Sequence, residues 1–72
     1  MNVHDAKLLL TNVEKYEARQ AGLYHDDRRI WSSYYKGLIV KEDGGWFAVT
    51  KPNGSNFQSQ YLWSAIDNLK CN

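Results

Sequence analysis

Two apolar runs joined by an Asp-Gly sequence restrict the fold of this 72-residue chain more than any other feature. Residues 38–41 (LIVK) and 46–50 (WFAVT) are rich in β-branched and aromatic side chains, and residues 42–45 (EDGG) lie between them. Asp-Gly between such runs predicts a β-hairpin, because the mirror-image turn requires positive φ at both central residues. The middle of the chain therefore predicts antiparallel β-structure.

The register of this hairpin follows from the distribution of its apolar side chains. With Asp43 and Gly44 as the loop, Lys41 lies opposite Trp46. Side chains alternate between the two faces of a strand, so this register makes one face entirely apolar, with Leu38, Val40, Phe47 and Val49. The other, water-exposed face carries Ile39, Lys41, Trp46, Ala48 and Thr50. A register that pairs Lys41 with Phe47 mixes polar and apolar residues on each face and is disfavoured.

Residues 51–55 (KPNGS) predict a second hairpin turn. A three-residue loop, led by Pro52 and with Gly54 left-handed, pairs the first and last residues of this segment and keeps proline out of the ladder. It also sets Phe57 opposite Val49 on the apolar face. A plain two-residue Asn-Gly loop would place Phe57 on the water-exposed face and is disfavoured.

A helix is predicted after the third strand, with Ser59 as its N-cap. Four apolar residues recur at helical spacing and form one stripe that the sheet must cover: Leu62, Ala65, Ile66 and Leu69. Trp63 lies off this stripe, so the core does not explain it.

The first third of the chain predicts one long helix over residues 3–21. Residues 2–5 (NVHD) resemble a capping box, and Gly22 is a natural stop. A core-facing stripe is formed by Ala6, Leu9, Leu10, Val13 and Tyr16. The spacing also fits a short heptad seam, but three heptads are too few to indicate a coiled coil.

Residues 28–36 predict a short second helix that ends at Gly37, because Ile30, Trp31, Tyr34 and Tyr35 have helical spacing. An irregular loop or an early strand is the alternative. The whole chain, residues 1–72, thus predicts a single α+β domain. It comprises a long N-terminal helix, a short second helix or loop, a three-stranded antiparallel meander and a C-terminal helix, with both long helices on the apolar sheet face.

Composition and charge exclude several function classes. Nine basic and eight acidic residues give a net charge of +1, which is no global attraction for nucleic acid. A single cysteine indicates a reducing compartment, and the sequence contains neither a signal peptide nor a transmembrane segment. We therefore expect a cytoplasmic protein that does not bind a membrane.

Catalytic and cofactor patterns are absent from the sequence. His25, Asp26 and Asp27, with His4, are the one cluster of metal-ligand residue types, but adjacent aspartates before a helix more often cap it. Cys71 lies near the end of the sequence, where a pocket that activates a nucleophilic thiol is not expected, and no glycine-rich phosphate loop precedes a helix. The sequence predicts a non-enzymatic protein with no metal and no cofactor.

Aromatic and basic side chains that the predicted core does not need are the strongest indication of function. Tryptophan, tyrosine and arginine dominate protein interfaces, because they bury large rigid surfaces and keep a polar group. The predicted partner-binding residues are Arg28, Arg29, Trp31, Tyr34, Tyr35, Lys41, Trp46 and Trp63. The partner is another protein or a second copy of this chain. This size and aromatic content are typical of phage and mobile-element accessory proteins, such as inhibitors of host enzymes or defence systems.

The layout of residues 37–69 supports a second hypothesis. Three strands followed by a helix resemble the small modules of phage integrases and plant AP2 domains, in which the sheet lies on DNA and the helix packs behind it. The resemblance is one of layout, and it implies DNA binding through Lys36, Lys41, Trp46, Thr50 and Lys51. Phosphate contacts would supply the affinity, so the net charge of +1 makes protein binding the preferred prediction.

Overall fold

The computed structural model describes residues 8–71, which form an antiparallel five-stranded sheet and two helices. Helix α1 (Asn12–Gln20) precedes the sheet and helix α2 (Leu62–Lys70) follows it. The strands are β1 (Tyr24–His25), β2 (Arg29–Trp31), β3 (Leu38–Glu42), β4 (Trp46–Thr50) and β5 (Asn56–Ser59). Their order in the sheet is β1-β2-β3-β4-β5, so each strand pairs with its neighbour in sequence. The α+β class is confirmed, but the sheet has five strands and the prediction had three.

The helix predicted over residues 28–36 is wrong, and the early-strand alternative holds for its first part. Asp26 Oδ1 accepts the backbone N–H groups of Arg28 and Arg29, at 2.8 and 2.6 Å, and this turn folds β2 back onto β1. Ser32 Oγ then accepts the backbone N–H groups of Tyr34 and Tyr35, each at 3.1 Å. Lys36 N donates to Ser32 O at 3.0 Å, so a single turn with Ser32 as its cap separates β2 from β3 and does not continue as a helix.

The N-terminal helix is shorter than predicted and begins at Asn12. Its capping box consists of Thr11 and Glu14, because Glu14 N donates to Thr11 Oγ1 at 3.2 Å and Thr11 N donates to Glu14 Oε1 at 2.8 Å. Leu10 N donates to Asp27 O at 2.7 Å, so residues 8–10 bond to a loop and are not helical. The capping box predicted at residues 2–5 and the stripe residue Ala6 lie outside the described residues.

The predicted apolar stripe of this helix is also wrong. Val13 and Tyr16 are 66% and 56% exposed, whereas Ala18 is fully buried. Leu10 belongs to the core although it precedes the helix. Leu10, just before α1, and Ala18, near its end, therefore pack into the core, and no continuous apolar stripe joins them.

The β3–β4 hairpin has the register that the sequence disfavoured. Lys41 lies opposite Phe47 and Ile39 opposite Val49, with a three-residue turn over Asp43–Gly45. Two consecutive glycines in this turn adopt φ values of +78° and +80°, which residues with a Cβ atom rarely adopt. Every side chain of β3 is therefore on the opposite face from the one predicted. Ile39 is fully buried, and Leu38 and Val40 are partly exposed on the other side.

The second turn and the C-terminal helix follow the prediction closely. Lys51 N donates to Ser55 O and Gly54 N donates to Lys51 O, each at 3.0 Å, and Phe57 lies opposite Val49. All four residues of the α2 stripe are buried. The N-cap is Tyr61, however, and Ser59 is the last residue of β5, where its Oγ accepts the N–H of Tyr61 at 3.1 Å.

One hydrophobic core lies between the sheet and the helices. Its buried members are Leu10, Ala18, Leu23, Ile30, Ile39, Phe47, Val49, Leu62, Ala65, Ile66 and Leu69. Both helices contribute to this cluster, which confirms that they pack on the same sheet face. Gly37 is buried beside it, and a Cβ on this glycine would overlap Leu69 Cδ1 and lie 3.2 Å from Thr50 O. None of the described helices is long and apolar enough to cross a membrane.

Candidate functional site

The sheet face opposite the helices is the first candidate binding surface, and we call it the open face. Cross-strand partners share a face, so the observed register assigns alternate residues of all five strands to it. These residues are Tyr24, Arg29, Trp31, Leu38, Val40, Glu42, Trp46, Ala48, Thr50, Asn56 and Gln58. All of them are exposed or half-buried, and neither helix covers them.

Apolar side chains run across the first three strands of the open face. Tyr24 pairs with Trp31 and Trp31 pairs with Leu38. The rings of Tyr24 and Trp31 have centroids 6.5 Å apart and an interplanar angle of 31°. Val40 lies on the same face of β3, beside Ala48 of β4. A contiguous apolar surface of this kind is typical of an interaction site.

Arginine side chains border this apolar surface. The Asp26 carboxylate binds Arg29 through its Nε at 2.9 Å and NH2 at 2.8 Å, and so orients the guanidinium beside Val40. Arg28 Nε reaches Lys41 O at 3.4 Å. Backbone N–H bonds from Arg28 and then Arg29, with the Arg29 guanidinium, lower the pKa of Asp26 to about 2. The carboxylate is thus ionised at neutral pH and fixes this border of the face.

Trp46 forms the other apolar end of the open face. It lies at the start of β4 opposite Glu42 and is 41% exposed. Leu8 reaches this end of the sheet, where it lines a shallow hollow together with Val40, Glu42 and Ala48. The open face therefore has aromatic side chains at two ends, and the small side chain of Ala48 lies between them.

The structure brings together only part of the predicted partner-binding set. Arg29, Trp31 and Trp46 lie on the open face, and Arg28 lies at its border. Tyr34 is 82% exposed in the turn after β2, and its ring contacts Tyr35, which packs against the core. The remaining two residues, Lys41 and Trp63, lie on other surfaces.

Lys41 is on the core face and not on the water-exposed face that the sequence predicted. Its ammonium is 3.0 Å from Glu14 Oε1 and 3.1 Å from Leu9 O, and it lies 6.0 Å from the centroid of the Phe47 ring. Its side chain is only 12% exposed. A partner approaching the open face would not meet this lysine.

The residues predicted for DNA binding are likewise dispersed. Trp46 and Thr50 are on the open face. Lys51 Nζ instead donates to Cys71 O at 2.6 Å, at the end of α2. Lys36 is exposed and has a φ of +57° in the turn before β3. The open face of the described chain therefore has no row of lysines.

Trp63 belongs to a second surface on the helix side of the molecule. It is 63% exposed, and its ring stacks on that of Tyr61 with centroids 6.1 Å apart. A shallow groove of about 370 Å³ between the helices is lined by Tyr16, Glu17, Gln20, Ala21, Trp63, Ile66 and Asp67. Trp63 thus cannot act together with Trp31 on one flat partner surface.

Tyr24, Leu38 and Val40 are large apolar residues of the open face that the sequence did not indicate as binding residues. Arg29-Ile30-Trp31 alternates in burial in the structure, but three residues are too few for the sequence alone to indicate a strand. Recognising β2 would have placed Trp31 on the face opposite Ile30. Tyr24 and Leu38 then follow as its cross-strand neighbours.

The polar groups near β1 form no metal site. His25 Nδ1 bonds to Asp26 O at 3.0 Å and its Nε2 bonds to Arg19 NH1 at 2.8 Å, so both ring nitrogens are occupied when Nδ1 carries the proton. Among residues 8–71 there is no group of three or more His, Cys, Asp or Glu that could hold a metal ion. His4 lies outside this range.

Comparisons with protein-family models, curated proteins and solved structures find no match to this chain.

Proposed function

We propose that this chain is a non-enzymatic protein-binding module whose open face receives a partner protein. The observation that supports this most directly is the Tyr24–Trp31 aromatic pair, which is continuous with Leu38 and bordered by Arg29. Aromatic side chains beside an oriented arginine have the composition of an interface hot spot. The sheet beneath them is regular, so binding requires little ordering of the backbone.

Charge favours a protein over a nucleic acid as the partner. Arg29 is already paired with Asp26, Lys41 faces Glu14, and Glu42 adds a carboxylate to the open face itself. Affinity for a phosphate backbone depends on unpaired cations in a row. An aromatic surface of mixed charge suits a protein surface better.

Size and shape support a narrower proposal. A chain of 8.4 kDa that presents one flat aromatic face can cover a functional surface of a larger protein without any chemistry of its own. This is the manner in which small accessory inhibitors of phages and mobile elements act on host enzymes or defence systems. We place this chain in that class of proteins as a proposal.

Affinity capture with matched variants tests the proposal. Trp31→Ala should abolish retention of partner proteins from a lysate while leaving the circular-dichroism spectrum unchanged, and Tyr24→Ala should weaken it. Trp63→Ala is the matched control, because it removes an exposed tryptophan from the helix side. Loss of capture in Trp63→Ala alone would assign binding to the helix groove and contradict the proposal. Salt-sensitive retention on duplex DNA, unaffected by Trp31→Ala, would favour the nucleic-acid alternative.

A further inference from the structure

Strand β5 is an edge strand of the sheet that residues 8–71 form. Lys51 N donates to Ser55 O, so the hydrogen-bonded pairs of this antiparallel ladder continue at Phe57 and Ser59. The backbone N–H and C=O groups of Asn56 and Gln58 therefore point away from β4. No group within residues 8–71 forms a hydrogen bond with them outside the ladder.

This edge lacks the devices that usually prevent pairing between sheets. Proteins protect edges with lysine, proline, bulges or a covering element. The opposite edge, β1, has only two residues, and its His25 ring is bonded to Arg19 of α1. By contrast, β5 has the sequence NFQS, and no charged residue occurs between Lys51 and Asp67. Within residues 8–71, no strand or segment pairs with the outer side of β5.

The sequence of β5 is complementary to itself. In an antiparallel pair with a two-fold axis at Phe57, Asn56 faces Gln58 of the second copy, and the reverse pair follows by symmetry. These are the residues whose backbone groups point outward, so two hydrogen-bonded pairs form. Their side chains both lie on the open face, where the amides can bond across the axis. No like charges meet.

The helix above this edge also leaves room for a second copy. α2 packs on β4 and β5 through its buried stripe, and Trp63 and Asp67 line the groove towards α1. At 100° per residue, Ser64 and Asn68 lie on the other flank, above β5. Both side chains are small or uncharged and partly buried. No charged side chain of the described residues of α2 lies on this flank.

We propose that β5 pairs with β5 of a second copy, which forms a homodimer with one continuous ten-stranded sheet. Two copies in this arrangement present their open faces on the same side, so the dimer offers a doubled binding surface. The contact is short compared with standard interfaces of roughly 1,600 Å². We therefore expect a reversible dimer that dissociates on dilution. The inference concerns a different surface from the proposed function and does not depend on it.

The oligomeric state of edge variants tests this inference. Wild-type protein should approach twice the 8.4 kDa chain mass by light scattering as its concentration rises. Gln58→Pro removes one outward N–H and no bond to β4, so it should give a folded monomer. Asn56→Lys should also give a monomer through repulsion near the axis, whereas Asn53→Lys, in the adjacent exposed turn, should remain dimeric.

Hydrogen exchange gives a second readout. The amides of Asn56 and Gln58 should be protected in the concentrated protein and exchange rapidly after dilution. A wild-type monomer at all concentrations would overturn the inference. A dimer that survives Gln58→Pro and Asn56→Lys would overturn it too, and if Trp31→Ala dissociated that dimer, the open face would be the dimer interface.

Discussion

Glu14 Oε1 lies 3.0 Å from Lys41 Nζ and 2.8 Å from the backbone nitrogen of Thr11. One carboxylate oxygen thus completes the capping box of α1 and neutralises a lysine on the core face of β3. The two charged side chains are only 12% and 20% exposed. The pair joins the N-terminal helix to the third strand and makes a lysine compatible with the core side of the sheet.

Removing the charge of Glu14 should destabilise the protein. Glutamine at this position still accepts the Thr11 N–H as part of a capping box, so Glu14→Gln leaves the ammonium of Lys41 half-buried without its counter-charge. We expect the free energy of unfolding to fall by about 1–3 kcal/mol, since a fully buried pair costs about 3–5 kcal/mol to break. Urea denaturation at neutral pH measures this change.

The exposed ion pair of α1 provides the control. Lys15 Nζ is also 3.0 Å from a carboxylate oxygen, but its partner Asp27 is 82% exposed. Asp27→Asn should cost less than about 1 kcal/mol. Adding Lys41→Met to Glu14→Gln should restore part of the lost stability, because it removes the unpaired charge. Equal effects of Glu14→Gln and Asp27→Asn would contradict a special role for the Lys41 pair.

Two valines test the register of the β3–β4 hairpin. Val49 is 1% exposed on the core face, whereas Val40 lies on the open face. Val49→Ala should lower the free energy of unfolding by about 2–3 kcal/mol, and Val40→Ala by about 1 kcal/mol or less. The register favoured by sequence alone buries both valines. Equal losses of stability in the two variants would therefore support that register against the observed one.

Gly37 should not tolerate even a methyl group. Its Cβ would overlap Leu69 Cδ1 in the core, so Gly37→Ala should cost about 1–3 kcal/mol through overpacking. In a Leu69→Ala background the same change should cost much less, because the obstructing atom is absent. Gly22→Ala is the control, since that position has open space and a φ of +79°. Its loss of about 1–2 kcal/mol should be unaffected by Leu69→Ala.

Asp26 should make stability depend on acid pH. Its pKa is lowered from 3.8 to about 2 in the folded protein. A depressed pKa contributes stability that is complete above the unfolded pKa and is lost as pH falls through the folded value. Stability should therefore decrease between about pH 4 and pH 2 partly through this residue. In Asp26→Ala the decrease in urea midpoint over that range should be smaller than in the wild-type protein, and an equal decrease in both proteins would contradict this role of Asp26.

Local patterns predicted the C-terminal half of the fold well. The α2 stripe and the three-residue turn before β5 depend on residues close together in sequence, and both are confirmed. The β3 register failed because it depends on a distant residue. Lys41 can face the core only because Glu14 lies there, and these residues are 27 positions apart. No pattern within the hairpin indicates that partner.

The N-terminal half was harder to predict for related reasons. β1 and β2 contain two and three residues, too few for alternation to be distinguished from helical spacing. The turns around them depend on Asp26 and Ser32 side chains that accept backbone N–H groups. Trp31, Trp46 and Arg29, which aromatic and basic composition indicated, remain predicted partner-binding residues. Their common face became visible only once the strand register was known.

The strand order also has a consequence for folding kinetics. Each strand pairs with its neighbour in sequence, so the sheet can form by successive hairpin closures over short loops, which is fast compared with long-range pairing. The bonds from Glu14 to Lys41 and from Lys70 Nζ to Ala21 O instead join segments 27 and 49 residues apart. If these helix contacts form after the rate-limiting step, disrupting them accelerates unfolding and leaves the folding rate almost unchanged. The helix contacts would then set the unfolding rate, and with it the lifetime of the folded sheet.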